Sequence, residues 1–201
     1  MQDAFLRRQK DRLMTPVAGP AFATIHPNLI SVSALVIGLG SVAAISGQWY
    51  WVGLLLWALN RILDGLDGVV ARVHQKQSDF GGYLDLFLDF IIYLGVPIGF
   101  IAAMPTTGNL WAGLFLIASY VLNTISWATL AALLEKRQRH TVNRLTSMEM
   151  PPGLIEGAET IVFYTLFYLL PGYVAILFTV MGILVLFTAS QRVWWAYQHL
   201  K

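Results

Sequence analysis

Cysteine is absent from this 201-residue sequence, which removes disulfides, thiolate metal sites and a cysteine nucleophile from the chemistry open to it. Charge is scarce as well. Only 12% of residues are charged against 57% hydrophobic, with a mean hydropathy of +0.63, a balance too apolar for an ordinary soluble domain. The bilayer is the expected solvent. Net charge is +2, and the basic residues lie beside apolar runs, so they report membrane orientation and no nucleic-acid partner is expected. Histidine is limited to His26, His74, His140 and His199, all away from the centres of the apolar runs, where a lone imidazole is ordinarily solvated. None is assigned to metal. No internal repeat, low-complexity stretch or linked soluble domain is legible, and the longest polar gap covers about 135–152. The segment before Thr15 and Pro16 holds no apolar run of signal-peptide length, so no cleavable signal is expected.

What is present is a series of apolar runs near 29–47, 50–71, 82–104, 109–134, 153–171 and 172–195. Each approaches the ~20 residues that cross about 30 Å of hydrocarbon as a helix. They predict an all-α integral membrane protein with six transmembrane helices. Short uncharged turns at Ser46-Gly47-Gln48, Pro105-Thr106-Thr107-Gly108 and Pro171-Gly172 fall on one side. Arg7, Arg8, Lys10, Arg12, Lys76, Lys136, Arg137, Arg139, Arg144 and Lys201 fall on the other. The positive-inside rule makes that second side cytoplasmic, with both termini on it, in a cytoplasmic (inner) membrane. Residues 1–20 alternate charge with Phe5, Leu6, Leu13 and Met14, the pattern of a short amphipathic interfacial helix, with a disordered tail as the alternative. Residues 21–201 then form one membrane domain.

The anomaly is the stretch from Asn60 to Arg72, Asn-Arg-Ile-Leu-Asp-Gly-Leu-Asp-Gly-Val-Val-Ala-Arg, followed by Gly-Gly-Tyr-Leu-Asp-Leu-Phe-Leu-Asp from Gly81 to Asp89. An ionised Asp near mid-membrane costs about 2.5–3.5 kcal/mol on the lenient insertion scale, so four of them require neutralisation. Asp64 and Asp67 are three residues apart and Asp85 and Asp89 four apart. On helices, each pair projects from one face, and adjacent helices can turn all four inward. Such a cage offers hard oxygen ligands, which suit magnesium, manganese or calcium, with a substrate diphosphate completing the shell. Gly65, Gly68, Ala71, Gly81 and Gly82 allow close approach of helices or phosphates, and Arg72 can fork onto phosphate oxygens or pair with an aspartate. Two other readings compete: a carboxylate-lined cation or proton-coupled carrier, and a structural network with Arg61 and Arg72, disfavoured because four acids outnumber two bases.

With gaps, the stretch reads Asp-x2-Asp-Gly-x2-Ala-Arg-x8-Gly-x3-Asp-x3-Asp from Asp64 to Asp89, and it resembles the signature of the CDP-alcohol phosphatidyltransferase family with every fixed position filled. The resemblance covers about residues 20–195. It implies a dimeric six-helix membrane enzyme with a polar cavity facing the cytoplasm and a two-metal site holding Mg2+ or Mn2+. By position, it implies that Asp64 and Asp85 bridge both metals, that Asp67 holds one, and that Asp89 holds the other or acts as base. It also places Gly68, Arg72 and Ser78 at the CDP moiety, with Ala71 and Gly81 beside them and Asn28 and Ser31 from the Pro27-Asn28-Leu29-Ile30-Ser31 segment. The implied partners are a CDP-lipid donor such as CDP-diacylglycerol and an alcohol acceptor, with CMP released. A lipid-binding protein that has lost catalysis is disfavoured by the filled motif.

The acceptor is read from weaker signals. Spans four to six carry few Lys or Arg, which favours an acceptor lacking phosphate. Glu156 and Glu159, three apart at the start of span five, can face one cavity and serve an amino alcohol or a polyol, or can simply complement a helix N-terminus. Asn123 is a further cavity candidate, as are Asn60 and Arg61, whose bland role is hydrogen bonding between helices. Gln191 and Arg192 are taken to mark the exit of span six. The sequence around Gly-Leu-Ile-Glu-Gly-Ala-Glu-Thr resembles a less-characterised bacterial inner-membrane branch of the family more than its glycerophosphate or inositol-phosphate branches.

Overall fold

Polar side chains and prolines start the helices where the apolar runs begin. In the computed structural model, which describes residues 18–19, 22–139 and 153–200, α1 (Pro27–Ser46) opens with Pro27 in its first turn and His26 Nδ1 accepting the Asn28 N–H at 3.2 Å. It is followed by α2 (Tyr50–Val73), α3 (Asp79–Ala103), α4 (Thr107–Arg139), α5 (Gly157–Leu169), a 3-10 turn (Pro171–Tyr173) and α6 (Val174–His199). Ser78 caps α3, its Oγ accepting the Gly81 N–H at 3.0 Å. Gln48 and Gln75, with φ of 63° and 54°, turn the chain out of α1 and α2 through the left-handed region. The protein is all-α over the described residues, as expected. The interfacial helix expected over 1–20 lies outside the described residues except for Ala18 and Gly19, as does the loop at 140–152.

Among the described residues, four segments are long and apolar enough to cross a membrane: Pro27–Ser46, Asp79–Ala103, Thr107–Arg137 and Pro171–His199. The other two expected spans differ for physical reasons. α2 has 24 residues, but Arg61, Asp64, Asp67 and Arg72 interrupt its hydropathy. α5 has only 13 residues, about 20 Å of helix, because a capping box starts it at Glu156 and Pro171 follows its end.

α1 packs on both α2 and α3, α4 runs along α6, and α5 touches α2 and α6. The crossings rest on small residues, since in lipid helices gain by close van der Waals approach. A Cβ at Gly95 would stand 3.1 Å from Val42 Cγ2, and one at Gly99 would stand 3.2 Å from the Val42 carbonyl oxygen. At Gly38 it would stand 2.6 Å from Ile92 Cδ1 and 3.0 Å from Asn60 Nδ2. Gly38→Val is therefore expected to lose about 1–3 kcal/mol by overpacking, read as a lower midpoint of thermal denaturation in detergent.

The core is aromatic, with Trp57, Phe100, Tyr164, Phe167 and Phe178 fully buried. Phe167 meets Phe178 edge-on at 4.9 Å and Trp57 stacks on Tyr164 at 5.0 Å. Buried hydroxyls are satisfied internally, as a membrane interior demands: Tyr164 OH donates to the Tyr93 carbonyl at 2.6 Å, and Ser41 Oγ donates to the Gly53 carbonyl at 2.8 Å. Leu29, Val36, Leu55, Ile176 and Val193 point outward as an apolar surface.

Side chains tie the ends of the bundle. Gln48 Nε2 donates to the Ala103 carbonyl at 2.8 Å, placing the α1–α2 and α3–α4 turns together. At the other end, Lys76 Nζ donates to the carbonyls of Ala23 and Ile25 at 2.7 and 3.1 Å, and Arg137 donates to those of His199, at 3.1 Å, and Leu200. The pattern of uncharged turns at one end and cations at the other thus has a structural counterpart among the described residues.

Candidate active site

The four motif aspartates sit where α1, α2 and α3 meet, near the cation-bearing end. Asp64, Asp85 and Asp89 border a narrow cleft of about 10 Å³ together with Ser31 and Asn60. Asp67 and Asp85 border a wider cavity of about 280 Å³, so Asp85 faces both. Asp67 is buried, and its Oδ2 accepts the Ser31 hydroxyl at 2.5 Å. Asp89 Oδ1 accepts from Arg61 at 2.7 Å, and Asp64 Oδ2 lies 3.6 Å from the same guanidinium.

Arg61 is therefore more than a bond between helices. Its Nε donates to Asn60 Oδ1 at 2.8 Å and one of its terminal nitrogens to Tyr93 OH at 3.1 Å. The rings of Trp57 and Tyr93 flank it at 4.8 and 5.1 Å, a favourable seat for a desolvated cation. Neutralisation of Asp64 and Asp89 by Arg61 is the part of the network that a count of acids against bases discounts.

Among the described residues no three carboxylate or imidazole side chains converge closely enough to hold an ion. Arg61 engages Asp64 and Asp89 while Ser31 holds Asp67, so the expected four-carboxylate cage is not closed in this arrangement. The donor set itself fits a hard divalent cation: it is all oxygen, from two facing helices, with Asp85 between two clefts.

Each residue expected at the CDP moiety lines the 280 Å³ cavity: Asn28, Ser31, Gly68, Ala71, Arg72, Ser78 and Gly81. Of these glycines, Gly81 is the tighter position and Gly68 leaves ordinary contact distance. A Cβ at Gly81 would stand 3.0 Å from Ser78 Oγ and 3.2 Å from Asn28 Oδ1, and one at Gly68 would stand 3.4 Å from an Arg72 nitrogen. Lys76 and Gln77 also line this cavity. Sequence reasoning took Lys76 only as a marker of topology, and its position in the short turn between two motif halves is the signal that would have found it.

A second cavity, of about 360 Å³, opens between α3, α4, α5 and α6, with Tyr93, Tyr120, Asn123, Glu156 and Arg192 in its wall. Asn123 and Glu156 border this cavity and Glu159 does not. The two glutamates form a capping box in which Glu156 Oε1 accepts the Gly153 N–H at 2.7 Å and Glu159 Oε2 accepts the Glu156 N–H at 3.1 Å. Arg192, taken to mark the exit of span six, is 9% exposed and donates to Asn123 Oδ1 at 2.5 Å.

The comparisons with known proteins agree with this geometry. A family model described as CDP-alcohol phosphatidyltransferase matches residues 24–197. The inner membrane protein YnjF of Escherichia coli (strain K12) is 36% identical over 178 residues, 88% of this chain and 85% of its own. An archaetidylinositol phosphate synthase of Methanothermobacter thermautotrophicus is 26% identical over 205 residues, covering 98% of this chain and 92% of its own. A CDP-diacylglycerol–serine O-phosphatidyltransferase of Helicobacter pylori (strain 26695) is 36% identical over 73 residues, 36% of this chain and 31% of its own. The match spans the motif, both cavities and nearly all of the helical bundle, and this membrane protein belongs to the CDP-alcohol phosphatidyltransferase family.

Proposed function

We propose that the protein is a metal-dependent transferase that moves a phosphatidyl-type group from a CDP-linked lipid such as CDP-diacylglycerol to an alcohol, releasing CMP. One observation carries the reading: Asp85 borders both the cleft shared with Asp64 and Asp89 and the cavity lined by Gly68, Arg72, Ser78 and Gly81. A diphosphate in that cavity lies against the carboxylates. Asp64, Asp67, Asp85 and Asp89 are the residues that would hold Mg2+ or Mn2+, which would supply neutralisation of the diphosphate and of the charge on the departing oxygen.

The chain's own residues do the rest. Arg72, over Gly68, and the α3 N-terminus capped by Ser78 hold phosphate oxygens. The acceptor oxygen attacks the phosphorus that carries the lipid, the bond to the CMP oxygen breaks, and Asp89 takes the alcohol proton. The second cavity, whose α3 wall of Leu86, Phe90 and Tyr93 is one residue on from Asp85, Asp89 and Ile92, is the place for the acceptor.

We read α2 and α5 as completing six crossings, α2 with its charges turned inward, and both termini and the site as cytoplasmic. The family resemblance supports a homodimer. The carrier reading has less support, because the Asp, Glu, Lys and Arg of the spans run from the end bearing Lys76 and Arg137 no deeper than Arg61 at the middle of α2, and an ion path has no carboxylate to continue on beyond Asp89.

The test is CMP release by the purified protein from CDP-diacylglycerol with a panel of alcohols. Release is expected with Mn2+ or Mg2+ and is expected to fall to background with EDTA, returning on metal addition. Ion flux across sealed vesicles without CMP would favour the carrier instead.

A further inference from the structure

The guanidinium of Arg61, midway along α2, is held at each of its three nitrogens. One terminal nitrogen donates to Asp89 Oδ1 at 2.7 Å, the other to Tyr93 OH at 3.1 Å, and Nε donates to Asn60 Oδ1 at 2.8 Å. The partners are fixed in turn. Asn60 is buried and its Nδ2 donates to the Ala34 carbonyl of α1 at 2.8 Å, while the Tyr93 carbonyl accepts Tyr164 OH from α5 at 2.6 Å. The Trp57 and Tyr93 rings flank the cation at 4.8 and 5.1 Å. Neutralising Asp64 and Asp89 asks for none of this, because Coulomb attraction depends on distance and an ammonium would supply it. A planar fork tied at three nitrogens and flanked by two rings has one orientation. What that orientation sets is Asp89.

We infer that Arg61 is a positioning residue for Asp89, braced by Asn60 and Tyr93: the guanidinium takes Asp89 Oδ1 and so holds the carboxylate in the rotation at which Oδ2 receives the alcohol proton. The inference rests on the proposed transferase reading and adds residues to its chemistry. The last side-chain torsion of an aspartate is broad, and a base acts only when its oxygen is within reach of the proton it takes. Fixing one oxygen fixes the other. In the step itself, the acceptor O–H bond breaks as its oxygen bonds to phosphorus, the phosphorus–oxygen bond to CMP breaks, and the proton passes to Asp89 Oδ2. Asp89 and Tyr93 are four residues apart on α3 and share a face, so one arginine on the neighbouring helix engages both. Tyr93 also stands in the wall of the 360 Å³ cavity. A contact with a ligand there would show in KM, whereas bracing Arg61 shows in kcat.

The experiment follows CMP release by the purified full chain from CDP-diacylglycerol with Mn2+, using whichever of glycerol 3-phosphate, serine, inositol and glycerol gives wild type its highest rate. Steady-state constants are compared for wild type, Tyr93→Phe and Arg61→Lys, alone and in an Asp89→Asn background, with the thermal denaturation midpoint of each. Tyr93→Phe removes a single oxygen, so it carries the test even where Arg61→Lys fails to fold. Ser41→Ala is the control for a buried hydroxyl bond lost elsewhere, the one from Ser41 to the Gly53 carbonyl. Misplacing a reacting group by about 1 Å can cost about 100-fold, so kcat is expected to fall about 10–100-fold in Arg61→Lys, which keeps the charge and loses the fork, and about 3–10-fold in Tyr93→Phe. KM is expected to stay within about twofold, and Ser41→Ala to keep the wild-type kcat. The Asp89→Asn background is decisive. With Asp89 already replaced, neither substitution is expected to lower kcat further, since residues that act through one another are not additive. An unchanged kcat in Tyr93→Phe and Arg61→Lys, a rise in KM alone, or an equal loss in the Asp89→Asn background would each overturn the inference and leave the transferase standing. Absence of CMP from wild type with every acceptor would defeat the transferase reading, and the inference with it.

Discussion

Replacing Arg61 by glutamine should make this protein far more dependent on divalent metal for its stability. In the wild type, one guanidinium serves Asp64 and Asp89 at 3.6 and 2.7 Å and is itself held by Asn60, Tyr93 and the Trp57 ring. Glutamine removes the charge and leaves two partly buried carboxylates facing each other. Losing one partner of a buried pair costs about 3–5 kcal/mol, although Asp64 and Asp89 retain 25% and 21% side-chain exposure, which places the effect toward the low end. A divalent cation can replace what the arginine supplied. The expected result is a metal-free midpoint well below wild type, with a larger rise on adding Mn2+ in Arg61→Gln than in wild type. Equal shifts in both would mean that Arg61 and the metal do not share these carboxylates.

Asp89→Asn carries the second large effect. General-base catalysis contributes about 10²–10⁴-fold, so CMP release should fall by that factor at saturating donor and acceptor. The substitution is nearly isosteric, and the amide oxygen can still accept from Arg61, so the denaturation midpoint should stay much closer to wild type than in Arg61→Gln. That contrast separates chemistry from folding. Residual turnover within tenfold of wild type, in a variant free of contaminating enzyme, would remove Asp89 from the role of base.

The site was legible to the extent that its chemistry lies in local spacing. The carboxylates and small residues of one motif recur at intervals that put them on facing sides of consecutive helices, and each expected CDP-contacting residue lines a single cavity. What was not legible depends on neighbours distant in sequence. Arg192 reads as the basic end of a span until α4 brings Asn123 against it, 69 residues away. Arg61 reads as one base against four acids until α3 delivers Asp89, 28 residues on, to its guanidinium. Whether Glu156 and Glu159 face the cavity or start a helix stays open in the sequence, because the usual sign of a capping box is Ser or Thr at its first position; here Glu156 takes that place and also lines the cavity, while Glu159 does not line it. The helix boundaries follow the same logic. Hydropathy ends the fourth span near 134, but α4 runs on to Arg139, because backbone hydrogen bonding continues past the point where the side chains become polar.

The confinement of charge to one end and the middle of the bundle has a consequence for the cell that carries this protein. Ionic chemistry inside a membrane invites leakage, since each elementary charge crossing is driven by about 2.3 kcal/mol per 100 mV. Beyond Asp89, the described residues of the core include the packed rings of Phe100, Phe167 and Phe178 and no Asp, Glu, Lys or Arg. That aromatic layer separates the charged cluster from the far end of the bundle, so aspartates and arginines can be held inside it without a continuous ionic path from end to end.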